Sequence, residues 1–499
     1  MKEFVNRQEE LQRIDEVCDA LQDERRLVRT PIMEFYGIDG IGKTSLLEQV
    51  GTLCSHKKLP YILEEAPQIS SFKKSTERLL EARKPAVVML DRLDAVNAEQ
   101  LREIGFFLNN LIENHRLFIV LASRSMQGFS NVRSIARKLK IYHLKPLKTE
   151  FCRDYLNGIA GSITQKMRDS ILDWTRGYPL AMNVMAEAII QEHLDPEVEQ
   201  DQKTLIRILF EKVIEQNILA TVTLDDERER YATLLSLLSL PRRFNLALMQ
   251  DIIEEFAPPE YKLDGGSLAY ITLPGAINKA TNVLVWDLQR TGYCIDAPVR
   301  HLLLLKQRIE QPERYVEMHR FLAQKNESFA QKVSGADHIR YLREFFYHLA
   351  NSNNSSRLRE AATFYIEQLA QEEALENFLQ LYEEFSQDEE LKEALGGENT
   401  NFMLSLMRKN FTKVYSSIVG KTKSRYLHEF FRRTADDPKI ENFSSIFEEG
   451  MRLIIRQESP GDAIKLYNEL MQDEELRALL GTDFDRVLTS VFNDLLNEG

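Results

Sequence analysis

The stretch PIMEFYGIDGIGKTSLL, residues 31–47, decides the fold. Its first part is a short apolar run typical of a buried strand, and its last part begins a helix. The loop between them matches the pattern G-x-x-x-x-G-K-[ST]. Glycines let such a loop bring backbone N–H groups close to phosphate oxygens, and the positive end of the following helix points at the same anion. The stretch therefore predicts a phosphate-binding loop.

Each position in this loop has an expected role. Lys43 would neutralise the β- and γ-phosphates of a nucleotide, and the Thr44 hydroxyl would take one position on Mg²⁺. ATP or ADP with Mg²⁺ is therefore the expected cofactor set. The nucleotide-binding residues predicted from this stretch are Gly37, Gly40, Ile41, Gly42, Lys43, Thr44 and Ser45.

Strand-like and helix-like segments alternate around the loop within a predicted domain of residues 1–145. Apolar runs predict strands at 32–36, 61–64, 86–90, 117–122 and 141–144. Helical patterns lie between them at 43–56, 68–83, 97–114 and 131–139. This alternation is typical of an α/β domain with a parallel, doubly wound sheet, whose ligands bind beyond the carboxyl ends of the strands.

Two of the predicted strands run directly into polar residues. AVVMLDRLDAV, residues 86–96, delivers Asp91, which beside a phosphate loop would coordinate Mg²⁺. Asp94 would either position or deprotonate an attacking water, or cap a helix. LFIVLASRS, residues 117–125, ends with Arg124, which would either reach a γ-phosphate or pair with a surface acid.

The rest of the chain is predicted to be mostly helical. A small helical domain covers 146–200, in which Pro179 either begins an ordinary helix or forms a rigid turn against an adenine ring. Residues 201–310 predict helices at 202–219, 226–240 and 244–256, then β segments at 268–273, 282–289 and 292–296, which together suggest a winged helix.

Residues 311–499 predict helices separated by turn signals, in the manner of an irregular, TPR-like solenoid. Such an array would either offer a partner an extended surface or merely pack on the ATPase. At the other end of the chain, a helix is predicted from about Asn6. Its approach, with Phe4, Val5 and Arg7, would either lie on the next domain or contact a bound base.

Composition narrows the class of protein. A chain of 499 residues is long enough for about three domains. The net charge of −13 argues against a dedicated nucleic-acid binder, although a local basic patch stays possible. No apolar run approaches the ~18 residues of a membrane span, no secretory signal is recognised, and four separated cysteines form no C-x-x-C pair. A cytoplasmic protein without a membrane partner is expected.

Over about residues 3–305, the order of these motifs resembles the STAND class of signal-transduction ATPases, the AP-ATPase and NB-ARC type. FVNR at 4–7 is similar to the entry motif of that class, with Asn6 where Gly is usual. GIDGIGKTS at 37–45 is similar to its phosphate loop, with Asp39 where Gly is common. VVMLDRLD at 87–94, LASR at 121–124 and GYPLA at 177–181 resemble its Mg²⁺ strand, its sensing Arg and its G-x-P motif, whose Pro packs on adenine.

A further similarity covers YCIDAPVRHLLL at 293–304, which resembles the end of the family's winged helix. Asp296 stands where the family carries a His that contacts the β-phosphate, and Arg300 matches the Arg that follows. An acidic group beside a diphosphate would repel it unless it were protonated or bridged. The resemblance therefore implies a resting state that is weaker or built differently here.

The resemblance implies a switch with slow ATP hydrolysis. ADP would hold the first three domains closed, and a protein partner or ligand on the C-terminal helices would open them. Exchange for ATP and assembly into a homo-oligomer would follow. The alternative is an AAA-like ATPase that acts on DNA through the winged helix, similar to archaeal initiator or mobile-element ATPases. The G-x-P motif, the helical tail and the acidic charge favour the switch.

Overall fold

The computed structural model divides the chain into two compact units, Met1–Pro312 and Glu313–Gly499, and each is described by itself. The residues that the structure describes are 7–81, 84–127, 129, 132–159, 163–263, 267–287, 292–371, 375–417, 447–448, 451–452, 460–474, 477–478 and 483–498.

The first unit is built on a parallel sheet of five strands. The strands are β1 Ile32–Tyr36, β2 Tyr61–Glu65, β3 Ala86–Asp91, β4 Leu117–Ser123 and β5 Leu139–His143. Their order across the sheet is β2-β3-β4-β1-β5. Strands β3 and β4 are buried at every residue, because they lie inside the sheet and helices cover its faces. The prediction of a parallel α/β sheet is confirmed.

The helices of this sheet domain largely follow the predicted pattern. They are α1 Gln8–Gln22, α2 Lys43–His56, α3 Ile69–Leu80, α4 Ala98–Asn114 and the short α5 Arg133–Ala136. Of the helix predicted over 131–139, α5 confirms Arg133–Ala136, but the prediction is wrong at its end, where β5 already begins at Leu139. Leu139 pairs with Ile32 of β1, so the sheet ladder decides the conformation of this residue.

Helices follow the sheet domain along the chain. They are α6 Thr149–Ile159, α7 Gln165–Thr175, α8 Pro179–Glu192 and α9 Glu199–Leu209. Helix α9 continues into a π-helical segment, Phe210–Ile218, in which the side-chain Nδ2 of Asn217 donates a hydrogen bond to the Lys212 carbonyl at 2.5 Å.

The last part of the first unit contains α10 Asp225–Ser239, α11 Leu246–Phe256, α12 Ser267–Thr281, the hairpin β6 Leu284–Asp287 with β7 Gly292–Ile295, and α13 Ala297–Glu310. The predicted β segment at 268–273 is wrong, because it is part of α12. Tyr270, Leu273 and Ile277 are all buried, and their spacing is that of one helix face. Phe244, just before α11, forms an antiparallel bridge with Tyr293 of β7.

In the second unit the described elements are helices, as predicted. They are α14 Pro312–Ala330, α15 Ala336–Asn351, α16 Ser355–Gln371, α17 Leu375–Gln387, α18 Glu389–Ser417, α19 Pro460–Met471 and α20 Asp483–Glu498. Helix α18 is broken at Gly396, and α15 packs on both α16 and α17 around an apolar core. None of the described helices combines the length and apolar character of a bilayer span.

Candidate nucleotide-binding site

The predicted phosphate loop joins β1 to α2 and contains two glycines with positive φ. The φ angles are 72° at Gly40 and 102° at Gly42, values that residues with a side chain rarely adopt. An added Cβ at Gly40 would also lie 2.4 Å from the Leu180 Cβ. Glycine is therefore required at Gly40 both for its backbone conformation and for the close approach of α8.

Lys43 is the first residue of α2, and its side chain is buried in the loop. Its Nζ donates hydrogen bonds to the carbonyls of Gly37 and Ile38, at 2.8 and 2.9 Å. The Asp39 carboxylate lies 3.8 Å from the same nitrogen. Burial lowers the Lys43 pKa, and the charge of Asp39 opposes that shift. The phosphate loop therefore surrounds the positively charged side chain of Lys43.

Thr44 and Asp91 meet where α2 begins and β3 ends. The Thr44 hydroxyl donates a hydrogen bond to Asp91 Oδ2 at 2.7 Å, and the Arg92 backbone N–H donates to Asp91 Oδ1 at 2.8 Å. A hydroxyl and a carboxylate side by side fit Mg²⁺, which commonly takes one or two protein oxygens and fills its other positions with water and phosphate. These two residues would hold that ion, and it would supply charge neutralisation to the phosphates.

Arg124 follows β4 and is surrounded by acidic side chains. Its backbone N–H donates to Asp94 Oδ1 at 2.8 Å, its Nε donates to Asp94 Oδ2 at 2.6 Å, and its Nη1 donates to Asp39 Oδ2 at 3.1 Å. Burial alone would raise the Asp94 pKa, but the hydrogen bonds from Arg124 lower it below its usual value. Asp94 is therefore held ionised as the partner of Arg124.

These groups converge on a cavity of about 620 Å³, a volume typical of small-ligand sites. The cavity is lined by the strand ends and the phosphate loop and by helical residues that follow the sheet domain. The predicted site residues that line it are Gly40, Gly42, Lys43, Thr44, Ser45, Asp91, Asp94, Arg124 and Pro179.

Three predicted residues are near the loop without lining the cavity. Gly37 and Ile41 belong to the loop backbone, and the Ile41 side chain is buried. Arg7 is buried too, and its Nη2 donates to the carbonyls of Ile41 and Lys145, at 3.1 and 2.8 Å. Burial lowers the Arg7 pKa. Arg7 thus holds the loop backbone. Phe4 and Val5 lie outside the described residues.

Several residues that line the cavity are not among the predicted site residues. The helical side of the cavity is formed by Tyr155, Leu180, Asn183, Gln216, Asn217, Ala220 and Thr221, and the strand-end side also includes Asp39, Arg92 and Ala95. Of these, Leu180 lies inside the quoted GYPLA stretch and Asp39 inside the loop. Gln216 and Asn217 come from the π-helical segment, a feature that often occurs at functional sites.

Tyr178 is the middle residue of the G-Y-P stretch, and it is fully buried. Its hydroxyl donates a hydrogen bond to the backbone carbonyl of Asp39. Burial raises the Tyr178 pKa, and the charges of Asp39 and Asp296 raise it further. The turn before α8 is therefore attached directly to the phosphate loop.

Asp296 stands at the N-terminus of α13 and is absent from the cavity lining. Burial raises its pKa to about 6. The charge of Asp296 contributes to the raised pKa of Tyr178, so Asp296 interacts electrostatically with the turn that holds the phosphate loop.

No protein-family model matches the chain, and none of the curated proteins matches its sequence. Among solved structures, the chain is similar to Cdc6p from Pyrobaculum aerophilum, at 15% identity and a TM-score of 0.35, over 63% of this chain and 96% of that one. It is similar to Orc1 from Aeropyrum pernix in complex with DNA, at 15% identity and a TM-score of 0.34, over 61% and 93% of the two chains.

A third similarity is to RuvB from Thermotoga maritima, a Holliday junction branch migration motor, at 14% identity and a TM-score of 0.33, over 58% of this chain and 92% of that one. Similarity this distant carries no weight for function. The class of the site rests on the chain's own geometry, in which a parallel sheet carries a phosphate loop after β1 and an acidic residue at the end of β3. That arrangement is typical of a P-loop NTPase.

Proposed function

We propose that the chain is an ATPase that binds ATP or ADP with Mg²⁺ in this cavity. The observation that supports it is the convergence of Lys43, the Thr44–Asp91 pair and Arg124 on one cavity lined by the phosphate loop. A cation in the loop, a place for Mg²⁺ and a guanidinium beside them are the groups that phosphoryl transfer requires.

Each residue then has a defined task. Lys43 leaves the Gly37 and Ile38 carbonyls to bind phosphate oxygens, and Thr44 with Asp91 holds the magnesium ion. Arg124 contacts the γ-phosphate and distinguishes ATP from ADP. Asp94 keeps Arg124 in place through two hydrogen bonds, and the remaining lone pairs of its ionised carboxylate position or deprotonate the attacking water.

The proposed ATPase works as a switch with slow hydrolysis. Support comes from the second side of the cavity, since Pro179, Leu180, Gln216 and Asn217 belong to helices beyond the sheet domain. A nucleotide between two parts of one unit can change how those parts pack, which is how ligand binding selects one conformation over another. An ADP-bound closed state and an ATP-bound open, oligomeric state complete this proposal, as the STAND resemblance implies.

The segment from α10 to β7 supports a winged helix as part of the proposal. Three helices precede a two-stranded hairpin, and an isolated antiparallel bridge joins Phe244 to Tyr293 of β7. The alternative function, an ATPase that acts on DNA, would use α12 as the helix in the major groove. Lys279 is the only charged residue of α12, which weakens that alternative because DNA binding depends on neutralising phosphates.

DNA binding nevertheless has a direct test. Binding to duplex DNA that weakens steeply with rising salt would support the alternative, and no binding at low salt would exclude it. The remaining parts of the proposal are a protein partner or ligand on the helical second unit, no membrane partner and a cytoplasmic location.

The central test is Lys43→Ala. We expect this variant to lose measurable binding of ATP and ADP, because the loop loses the cation that neutralises the phosphates. Titration calorimetry with Mg²⁺ and each nucleotide measures the change. Lys74→Ala on α3 is the matched control, because Lys74 is exposed and does not line the cavity.

Circular dichroism would establish that both variants are folded. Wild-type affinity in the folded Lys43→Ala variant would show that the nucleotide site has been misplaced. As a second measurement, wild-type protein purified without added nucleotide would be denatured, and any released nucleotide identified. Bound ADP with slow turnover would support the switch, whereas an empty site with steady turnover would favour a working ATPase instead of a switch.

A further inference from the structure

Asp39 is an acidic residue inside the phosphate loop, and it faces both cations of the proposed phosphate site. Its Oδ1 lies 3.8 Å from Lys43 Nζ, and its Oδ2 accepts a hydrogen bond from Arg124 Nη1 at 3.1 Å. The side chain is 30% exposed and lines the cavity. One carboxylate therefore bridges a lysine from α2 and an arginine from the end of β4.

A γ-phosphate would interact with the same two cations. In a phosphate loop the lysine contacts the β- and γ-phosphates, and the proposed task of Arg124 is contact with the γ-phosphate. Anionic oxygens of a carboxylate and of a phosphate form charge-assisted hydrogen bonds of the same kind with these donors. The Asp39 carboxylate therefore takes the electrostatic place of a γ-phosphate when none is bound.

We propose that Asp39 is a specificity-determining residue that favours ADP over ATP, because ATP has to displace its carboxylate from Arg124 and ADP does not. The inference rests on the proposed function, since it concerns the same nucleotide site. It also gives the switch a physical origin for its ADP-bound resting state.

The backbone around Asp39 supports this role, because it restricts where the carboxylate can go. The Asp39 carbonyl accepts a hydrogen bond from the buried Tyr178 hydroxyl, and Gly40 packs against Leu180. The loop backbone is thus held in place, so the carboxylate moves away from Arg124 by rotation of the Asp39 side chain.

The test is Asp39→Asn, which keeps the shape of the side chain and removes its charge. We expect the ratio of ATP affinity to ADP affinity to rise about tenfold or more, since a charged competitor for Arg124 is lost. Calorimetric titration of each nucleotide with Mg²⁺ gives the ratio. Glu48→Gln on α2 is the matched control, because it removes an exposed negative charge one turn beyond Thr44.

A double-mutant cycle separates this role from mere stabilisation of the loop. In an Arg124→Ala background, Asp39→Asn is expected to change the affinity ratio much less, because the group for which the carboxylate and the γ-phosphate compete is gone. A purely structural Asp39 would change both affinities together and leave their ratio at the wild-type value.

An unchanged ratio in Asp39→Asn, with both nucleotides still bound, would overturn the inference and leave the proposed function standing. Equal changes in the ratio with and without Arg124 would also overturn it. Failure of the wild-type protein to bind either nucleotide would overturn the proposed function and this inference together.

Discussion

At the residue scale, the site holds its cations in ion pairs. The basic residues among the described cavity lining each face a carboxylate, since Lys43 lies beside Asp39, Arg92 beside Glu65 and Arg124 beside Asp94. Because Arg124 and Lys43 are largely buried, breaking their pairs opposes phosphate binding more than breaking an exposed pair would. We therefore expect the affinity of the proposed site for a nucleotide to depend on these acids as well as on the bases.

Asp296 provides a prediction about pH at this scale. Burial raises its folded-state pKa from 3.8 to about 6, so its ionised form is disfavoured in the folded protein. Between those two pH values the folded state binds more protons than the unfolded state, and the first unit loses stability as the pH rises. Asp296→Asn is expected to be more stable than wild type at pH 8, by up to about 3 kcal/mol, with little difference near pH 4.

Urea unfolding followed by tryptophan emission measures this difference. Asp154→Asn, an exposed acid of α6, is the control and should show no such pH-dependent gain. A constant difference between Asp296→Asn and wild type from pH 4 to pH 8 would contradict the expected role of the Asp296 charge.

At the element scale, the turn between α7 and α8 connects several parts of the first unit. Gly177 has φ = 75°, its carbonyl accepts a hydrogen bond from Leu147 N–H at 2.9 Å, and the next residue holds the phosphate loop. Few residues can satisfy that conformation and that packing together. The G-Y-P stretch thus connects α8 to the phosphate loop and to Leu147, and it also contributes to the cavity.

Gly177→Ala tests how much this connection contributes to stability. An added Cβ would lie 2.2 Å from the Leu147 carbonyl oxygen, and the positive φ adds strain. We expect the free energy of unfolding to fall by about 2 kcal/mol or more. Emission from Trp174, three residues away, reports the transition. Gly275→Ala in α12 is the control, because its Cβ meets open space and the change should stabilise the helix by about 0.5–1 kcal/mol. A Gly177→Ala protein as stable as wild type would show that the turn can relax.

At the scale of the whole molecule, the described cavity belongs to the first unit alone. The two tryptophans of the chain, Trp174 and Trp286, also belong to this unit. Tryptophan emission therefore reports the unfolding of the unit that carries the site, whereas far-ultraviolet circular dichroism reports the helices of both units.

The difference between the tryptophan and circular dichroism signals gives a prediction for ligand addition and removal. ADP with Mg²⁺ at one hundred times its Kd should stabilise the tryptophan-detected transition by about 2.7 kcal/mol, and dialysis against a chelator without nucleotide should reverse the gain. Paired melts with both signals make the measurement. A ligand-dependent shift in circular dichroism without one in tryptophan emission would place the site outside the first unit.

Local pattern was enough to predict the phosphate loop, the strand ends at Asp91 and Arg124, and the parallel sheet. Each of these depends on contiguous residues, in which an apolar run precedes a polar one. Local pattern failed at the end of the helix predicted over 131–139 and at 268–273. In the first case pairing with β1 extends β5, and in the second an apolar segment of β-favouring residues is buried along one face of α12.

The sequence alone thus determined what chemistry the chain carries, because the loop, its lysine and the acids that follow strands are encoded by neighbours along the chain. Only the tertiary structure decided how those groups are paired. The order β3-β4-β1 brings Arg124 within reach of both Asp94 and Asp39, and the helical fold brings Gln216 and Asn217 to the same cavity. Strand order and helix packing are decided by burial of surfaces distant in sequence, which no local pattern records.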